Sequence, residues 1–429
     1  MRPKATAIVL LCTAALASGS LAAPAIPAHP KDLRYGPLKF EVPKADQYRF
    51  KLKNGIVAYV AEDHALPLAT ISVTLRAGSF IEPVEKTGLA SLTGSMMREG
   101  GTVTLTAEQF DEKADFLAAN ISSFAGETEA GASLNCVSSV LDQALDLFFE
   151  MLSSPRFQQD RLDVEKGNVL EDMKQRNDDA GRILGREWRW LMYGREHFIT
   201  RAQTKSNLDS MTRADLIDFH RKYWLPRNMI FAISGDVRTK DVLAALDRRF
   251  ADWKPPASPA APAAKLPWPP PAPAFTPKPG IYHVEKDIPQ GKVYIGHPGS
   301  RWDRWDNPDN FALMVMNDIL GAGGFTSRIT KKVRSDEGLA YSAGSSFGIG
   351  IWWPGDFRIS FQSKNPTVAL AAKLSLAEAR KLRVETVSDE ELTVSKNSFI
   401  DSFPRSFESP RQIAGTFASD DYIGRPHSY

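Results

Sequence analysis

The sequence predicts an α+β fold made of two similar units on one chain, and three observations carry that reading. Between residues 253 and 280 runs PPASPAAPAAKLPWPPPAPAFTPKPG, so rich in proline and alanine that neither a helix ladder nor a sheet ladder can pass through it. Residues 254–280 therefore read as a semi-rigid tether. Ahead of the tether, period-two apolar alternation gives way to a succession of helical periods, so strands and helices segregate. Behind it the same theme begins again.

In the first unit, residues 45–253, apolar alternation over 48–52, a turn at Asn54-Gly55 and a return strand over 56–60 predict a hairpin. A strand over 70–77 follows, and helical periodicity then runs over 88–97, 106–119, 140–153, 159–175, 181–193 and 213–223. The apolar run 229–235, bounded by Asn228 and Asp236, closes the unit as a buried strand. The second unit, 281–429, offers a strand over 291–296, a helix over 307–320, a glycine-rich break over 321–324 and a second helix into Val333. Strands over 340–348 and 356–362 follow. It has no counterpart of the 223–236 segment with its closing strand, so the second unit is expected to be truncated.

A chain of 429 residues, 43% hydrophobic and 24% charged, has the composition of a globular protein long enough to bury more than one core. Its 53 basic and 51 acidic residues leave +2 overall, without the basic stripe that nucleic acid requires. The chain starts Met1-Arg2-Pro3-Lys4, continues apolar over 5–17 and reaches small residues at Ser20 and Ala22, which predicts a signal peptide over 1–22 and export to the periplasm or medium. Its apolar stretch is shorter than the roughly 20 residues of a spanning helix. Cys12 lies inside that leader, so the mature chain keeps Cys136 alone and cannot form an internal disulfide.

The run from Gly88 to Thr102, GLASLTGSMMREGGT, resembles the active-site helix of the zinc-peptidase M16 (pitrilysin/insulinase-like) family, which also includes the mitochondrial processing peptidases. The Gly-x-Ala lead-in, the methionine after the motif and the Gly-Thr exit match. Where the family has His-x-x-Glu-His, however, this chain has Ser91, Gly94 and Ser95. The family's histidines at i and i+4 hold zinc from one helical face while the glutamate activates water. Serine hydroxyls are poor zinc ligands, and glycine takes no proton. The family's later glutamate ligand and its assisting glutamate superpose best on Asp172 and Glu165, and a slip of one residue would put Glu171 at the ligand position. Without imidazole partners these acids do not make a zinc site, and a solvated helix face is their structural alternative. His64, His197, His220, His283, His297 and His427 show no metal-ligand spacing, and no Gly-x-Ser-x-Gly elbow, P-loop or dinucleotide fingerprint offers other enzymology.

In the second unit, RITKKVRSDEGLAYS from Arg328 to Ser342 resembles the family's Arg/Tyr element, which places its arginine and tyrosine at Arg334 and Tyr341. In the family these groups hold the substrate backbone and stabilise charge at the scissile carbonyl, as guanidinium and phenol donors can. Their structural alternative is a helix C-cap and a strand aromatic. Asn54-Gly55, Arg76-Ala77-Gly78-Ser79 and Tyr223-Trp224-Leu225-Pro226 add further matches, so the resemblance covers most of 45–429 and implies two α/β rolls forming a clamshell.

Some M16 enzymes divide the zinc motif and the Arg/Tyr element between two subunits. The resemblance thus implies a non-catalytic subunit of a periplasmic heterodimeric zinc peptidase, binding no metal itself and supplying Arg334 and Tyr341 to a partner that bears His-x-x-Glu-His and the zinc. A peptide substrate would add to a sheet edge beside that site. The alternative is a stand-alone peptide-binding or scaffolding homologue without hydrolytic activity, and a weaker third reading is an independent peptidase with an unrecognised metal site.

Overall fold

Glycine 55 sits at φ 87°, a left-handed turn conformation, and closes the expected hairpin between β1 (Arg49–Lys51) and β2 (Val57–Glu62). The computed structural model describes residues 29, 32, 33, 36, 40–253 and 266–427. The expected signal peptide and residues 254–265 of the tether lie outside the described residues, and 266–289 carry neither helix nor strand.

The elements then run β3 (Leu68–Leu75), α1 (Leu89–Glu99), α2 (Ala107–Phe116), β4 (Asn120–Ala125), β5 (Ala130–Val137), α3 (Leu141–Ser153), α4 (Gln159–Gln175), α5 (Ala180–Tyr193), α6 (Lys205–Ser210), α7 (Arg213–Tyr223), β6 (Met229–Gly235) and α8 (Thr239–Asp252). The six strands make one sheet in the order β1-β2-β6-β3-β5-β4, with β2 and β6 parallel and β4 at a free edge. Period-two burial gives each face its own core. Ala58, Val60, Ile71, Val73, Phe231 and Ile233 pack on the helices of the first half, while Tyr59 and Ala61 point to the opposite side. In α3 the buried Ala144, Leu145, Phe148, Met151 and Leu152 recur at helical spacing, which lays one side of the helix on that core.

The second half runs β7 (Gln290–Pro298), β8 (Ser300–Arg301), α9 (Pro308–Asn317), β9 (Ala340–Phe347), β10 (Ile349–Gly350), β11 (Asp356–Lys364), α10 (Val368–Val384), α11 (Asp389–Ser402) and α12 (Pro410–Ile423). Its sheet has three antiparallel strands, β7-β11-β9, beside the short pair β8 and β10. Leu320, Ile329, Val333, Ile359, Phe361 and Ala371 form its core. Two helical stretches between α9 and β9, Asp318–Ala322 and Thr330–Asp336, are wound as π-helix.

The two halves exchange a helix. From the second half, α12 lays Ala414, Phe417 and Ala418 on Tyr59 and Ala61, covering the side of the first sheet that its own helices leave bare. From the first half, α5 crosses to the second sheet, where the Trp188 indole donates to Asp356 Oδ2 at 2.7 Å and meets Tyr294 edge to face. The described residues from Val42 onward accordingly form one compact unit.

Several expectations change. The helix expected over 106–119 stops at Phe116, because Ala118 takes φ 45° and turns the chain into β4. Strands β4 and β5 and helices α6, α8, α10, α11 and α12 were not anticipated. The helix expected over 307–320 ends as α-helix at Asn317 and continues as a π-turn.

Candidate functional site

Gly88 precedes helix α1 at φ 99°, a left-handed conformation that residues with a Cβ rarely adopt. No side chain of the N-cap residue satisfies its first amides; the Glu82 carboxylate accepts from both Gly88 N and Ala90 N at 2.9 Å. Burial raises the Glu82 pKa, and those two amides pull the other way. Leu89, Ala90, Leu92, Met96 and Met97 are buried, which turns Ser91 and Ser95 outward one turn apart.

Gly94 faces β4. Its carbonyl accepts from Ser123 Oγ at 2.6 Å, and a Cβ at this position would lie 2.2 Å from Ala125 N and 2.5 Å from the Phe124 carbonyl carbon. Helix and edge strand touch through their backbones here, and no side chain of any kind fits between them.

On α4, Glu165 accepts from Ser95 Oγ at 3.2 Å through one oxygen and from Asn168 Nδ2 at 3.2 Å through the other. Asp172, expected to face the same group, pairs instead with Arg182 at 3.0 Å and is 72% exposed, while Glu171 is engaged by Lys174 and Gln175. The expected metal-site positions are thus only partly gathered: Ser95 meets Glu165, and neither candidate for the later ligand joins them. Asn168 was not anticipated.

Zinc, which the family implies, does not fit these residues. Ser91 and Ser95 offer hydroxyls, position 94 has no space for a carboxylate, and among the described residues no group of three or more His, Cys, Asp or Glu is placed to hold a metal ion. The described histidines serve elsewhere. The buried His220 donates Nε2–H to Leu152 O at 2.8 Å, and His64 pairs with Asp236 at 2.7 Å on the surface. Cys136 is buried in β5, and burial pushes its thiol up to about 11.

In the second half the structure does bring together the two residues singled out there. The Arg334 guanidinium lies 5.0 Å from the Tyr341 ring centre and 4.4 Å from that of Phe325, so it is held between two aromatic faces. Tyr341 is 86% and Phe325 67% exposed. The π-turn carrying Arg334 is anchored by Thr330 Oγ1, which donates to Ala343 O at 2.7 Å and accepts from Ser327 Oγ at 2.9 Å. Phe325 was missed, although a large apolar residue directly after a glycine-rich break was a visible signal. The arrangement sets a half-buried guanidinium beside an exposed phenol, both of them donors to carbonyl oxygens.

Residues 57–187 match the description "Insulinase (Peptidase family M16)", and 210–399 match "Peptidase M16 inactive domain". The chain belongs to peptidase family M16. This M16 chain is similar to the crystal structure of the peptidase M16 inactive domain from Pseudomonas fluorescens, with a TM-score of 0.75 and 26% identity over 89% of this chain and 88% of that one. The Helicobacter pylori non-peptidase homolog YmxG is 24% identical over 372 residues, 86% of this chain and 82% of its own length. An uncharacterized zinc protease of Mycobacterium leprae is 26% identical over 306 residues, 70% of this chain and 66% of that protein. The chain spans just under two thirds of the length of the mycobacterial relatives it matches. No helix among the described residues is long and apolar enough to cross a membrane.

Proposed function

We propose that this chain is the non-catalytic subunit of an exported, periplasmic heterodimeric M16 peptidase, and that it contributes Arg334 and Tyr341 to a composite site. The observation that carries the reading is the Phe325–Arg334–Tyr341 stack, which sets a half-buried guanidinium beside an exposed phenol next to a sheet of the family's fold. When bound in a His-x-x-Glu-His partner, zinc supplies the water activation that Ser91, Gly94 and Ser95 cannot. In this chain the Arg334 guanidinium and the Tyr341 hydroxyl donate to the substrate's backbone carbonyls and to charge developing on the scissile oxygen. The free edge of β4, running beside α1, offers unpaired backbone groups to which an extended peptide can add a strand.

The test is to purify the tagged mature protein from its native periplasm and assay what co-elutes. A stoichiometric partner with His-x-x-Glu-His and chelator-sensitive peptidase activity is expected. Arg334→Ala should then lower kcat by about 10²–10³, the range seen when one oxyanion donor is removed, with assembly intact. A second reading, a stand-alone peptide-binding homologue, is supported by the same β4 edge. It takes the lead if the protein elutes alone and inactive while still binding peptide.

A further inference from the structure

The described end of the tether is fastened at several points to the place where the two halves meet. Leu266 packs on the first core. Trp268 sits among groups from both halves. From the first come Phe80, 6.0 Å away between ring centres, and the Arg76 guanidinium at 4.7 Å; from the second come Trp352 at 4.6 Å and Tyr422 of α12 at 5.4 Å. Farther along, the Pro271 carbonyl accepts from His197 Nε2 at 2.9 Å, and the Phe275 ring covers Gly194 just past α5.

The His197 ring bridges the halves as well. It lies 4.2 Å from Phe198 of its own loop and meets Trp353, from the turn between β10 and β11, edge to face at 5.8 Å. A carbonyl oxygen only accepts, so the bond to Pro271 fixes the neutral ring's proton on Nε2. Nδ1 is buried and has no hydrogen-bond partner among the described residues. A second proton would therefore enter a place that offers it no acceptor. Burial holds the imidazole below its ordinary 6.5; the Pro271 bond works against this, Arg201 on the same loop adds to it, and Glu127 opposes it. Glu127, from the turn between β4 and β5, is itself paired with Arg189 of α5. Phe198, Trp353 and the tether residues 270–272 carry no charge.

We infer that His197 is a pH-sensitive latch on the joint: neutral, it fastens the tether and the Trp353 turn across the two halves, and protonated, it releases both. The joint is firm above about 6.5 and loosens as pH falls through that value, because the released ring accepts the proton that the latched ring resists. Helices α12 and α5 keep their hold on the opposite halves, so the result is a local opening and not dissociation. The latch governs how firmly the halves are held and is independent of the proposed peptide-binding role.

The test is hydrogen–deuterium exchange of the full mature protein at pH 7.5 and 5.5, with rates corrected for the intrinsic effect of pH. The amides of Thr200 and Arg201, which donate to His197 O at 2.9 and 2.8 Å, report on the loop. Their exchange should quicken at pH 5.5 by up to about tenfold, the ceiling for an imidazole one unit below its ordinary value. His197→Gln keeps an N–H for Pro271 O and takes no proton. It should remove the quickening at these amides and leave that of α3, which follows His220, as in wild type. Arg201→Gln, which removes a charge that opposes the proton, should lessen the quickening. Equal protection at the two pH values in wild type, a quickening that survives His197→Gln, or one that Arg201→Gln leaves unchanged or enlarges overturns the latch.

Discussion

At His220 burial lowers the imidazole to about 4 from 6.5, while its Nε2–H donates to Leu152 O and its ring stacks on Trp224. The folded state thus resists a proton that the unfolded chain accepts. Stability is full above about 6.5, falls as pH drops through that value, and continues to fall until the folded form titrates near 4. At pH 5 the loss relative to pH 7 should be about 2 kcal/mol from this one group, read from urea midpoints, and His220→Gln should flatten the slope. In the sequence this histidine stood out only as one without a partner at metal-ligand spacing. Gly94 was legible as a vacant catalytic position, but nothing in the sequence announced its contact with the Ala125 backbone, because that contact is made across 31 residues by a strand with no recognisable pattern. Gly94→Ala should cost about 1–3 kcal/mol through overpacking, measured as a lowered unfolding midpoint.

Elements with one apolar side were read correctly where residue size made the side visible. Helices α4 and α7 and strand β6 lie at their expected bounds. Strands β4 and β5 escaped because their sequences, NISSFA and AGASLNCV, are built from small residues, so neither β-branched enrichment nor a clear apolar alternation appears. Helix α8 was there to be found, with Val242, Ala245, Leu246 and Phe250 on one side. The π-turn at Thr330–Asp336 was anticipated only as a helix, since composition does not distinguish i→i+5 from i→i+4 bonding. Glycine inside a helix gives a check at this scale: a Cβ at Gly167 of α4 meets nothing within 4 Å. Gly167→Ala should therefore stabilise by about 0.5–1 kcal/mol, opposite in sign to Gly94→Ala in the same thermal-melt series.

For the whole molecule, the sequence implied two units joined by a tether, and the helix exchange makes their union independent of that tether. Residues 1–257 and 258–429 expressed as separate chains should co-purify, because α12 still has the Tyr59 side of the first sheet to cover and Trp188 still reaches Asp356. Phe417→Ala should cost about 3–5 kcal/mol and lower the melting of both halves together in one calorimetric transition. This exchange was not legible, because it depends on which apolar surface is left bare after each half has folded. The approach of α1 to β4 reaches beyond stability as well. A chain that acquired histidines at 91 and 95 by single changes would still lack its base, and the change that supplied glutamate at 94 would first have to prise the edge strand from the helix. The intermediate with glutamate at 94 folds less well than its parent and gains no chemistry in return, so the contact acts as a ratchet: sequences of this kind can drift in what they bind, while the change that would restore the base is opposed by the edge strand.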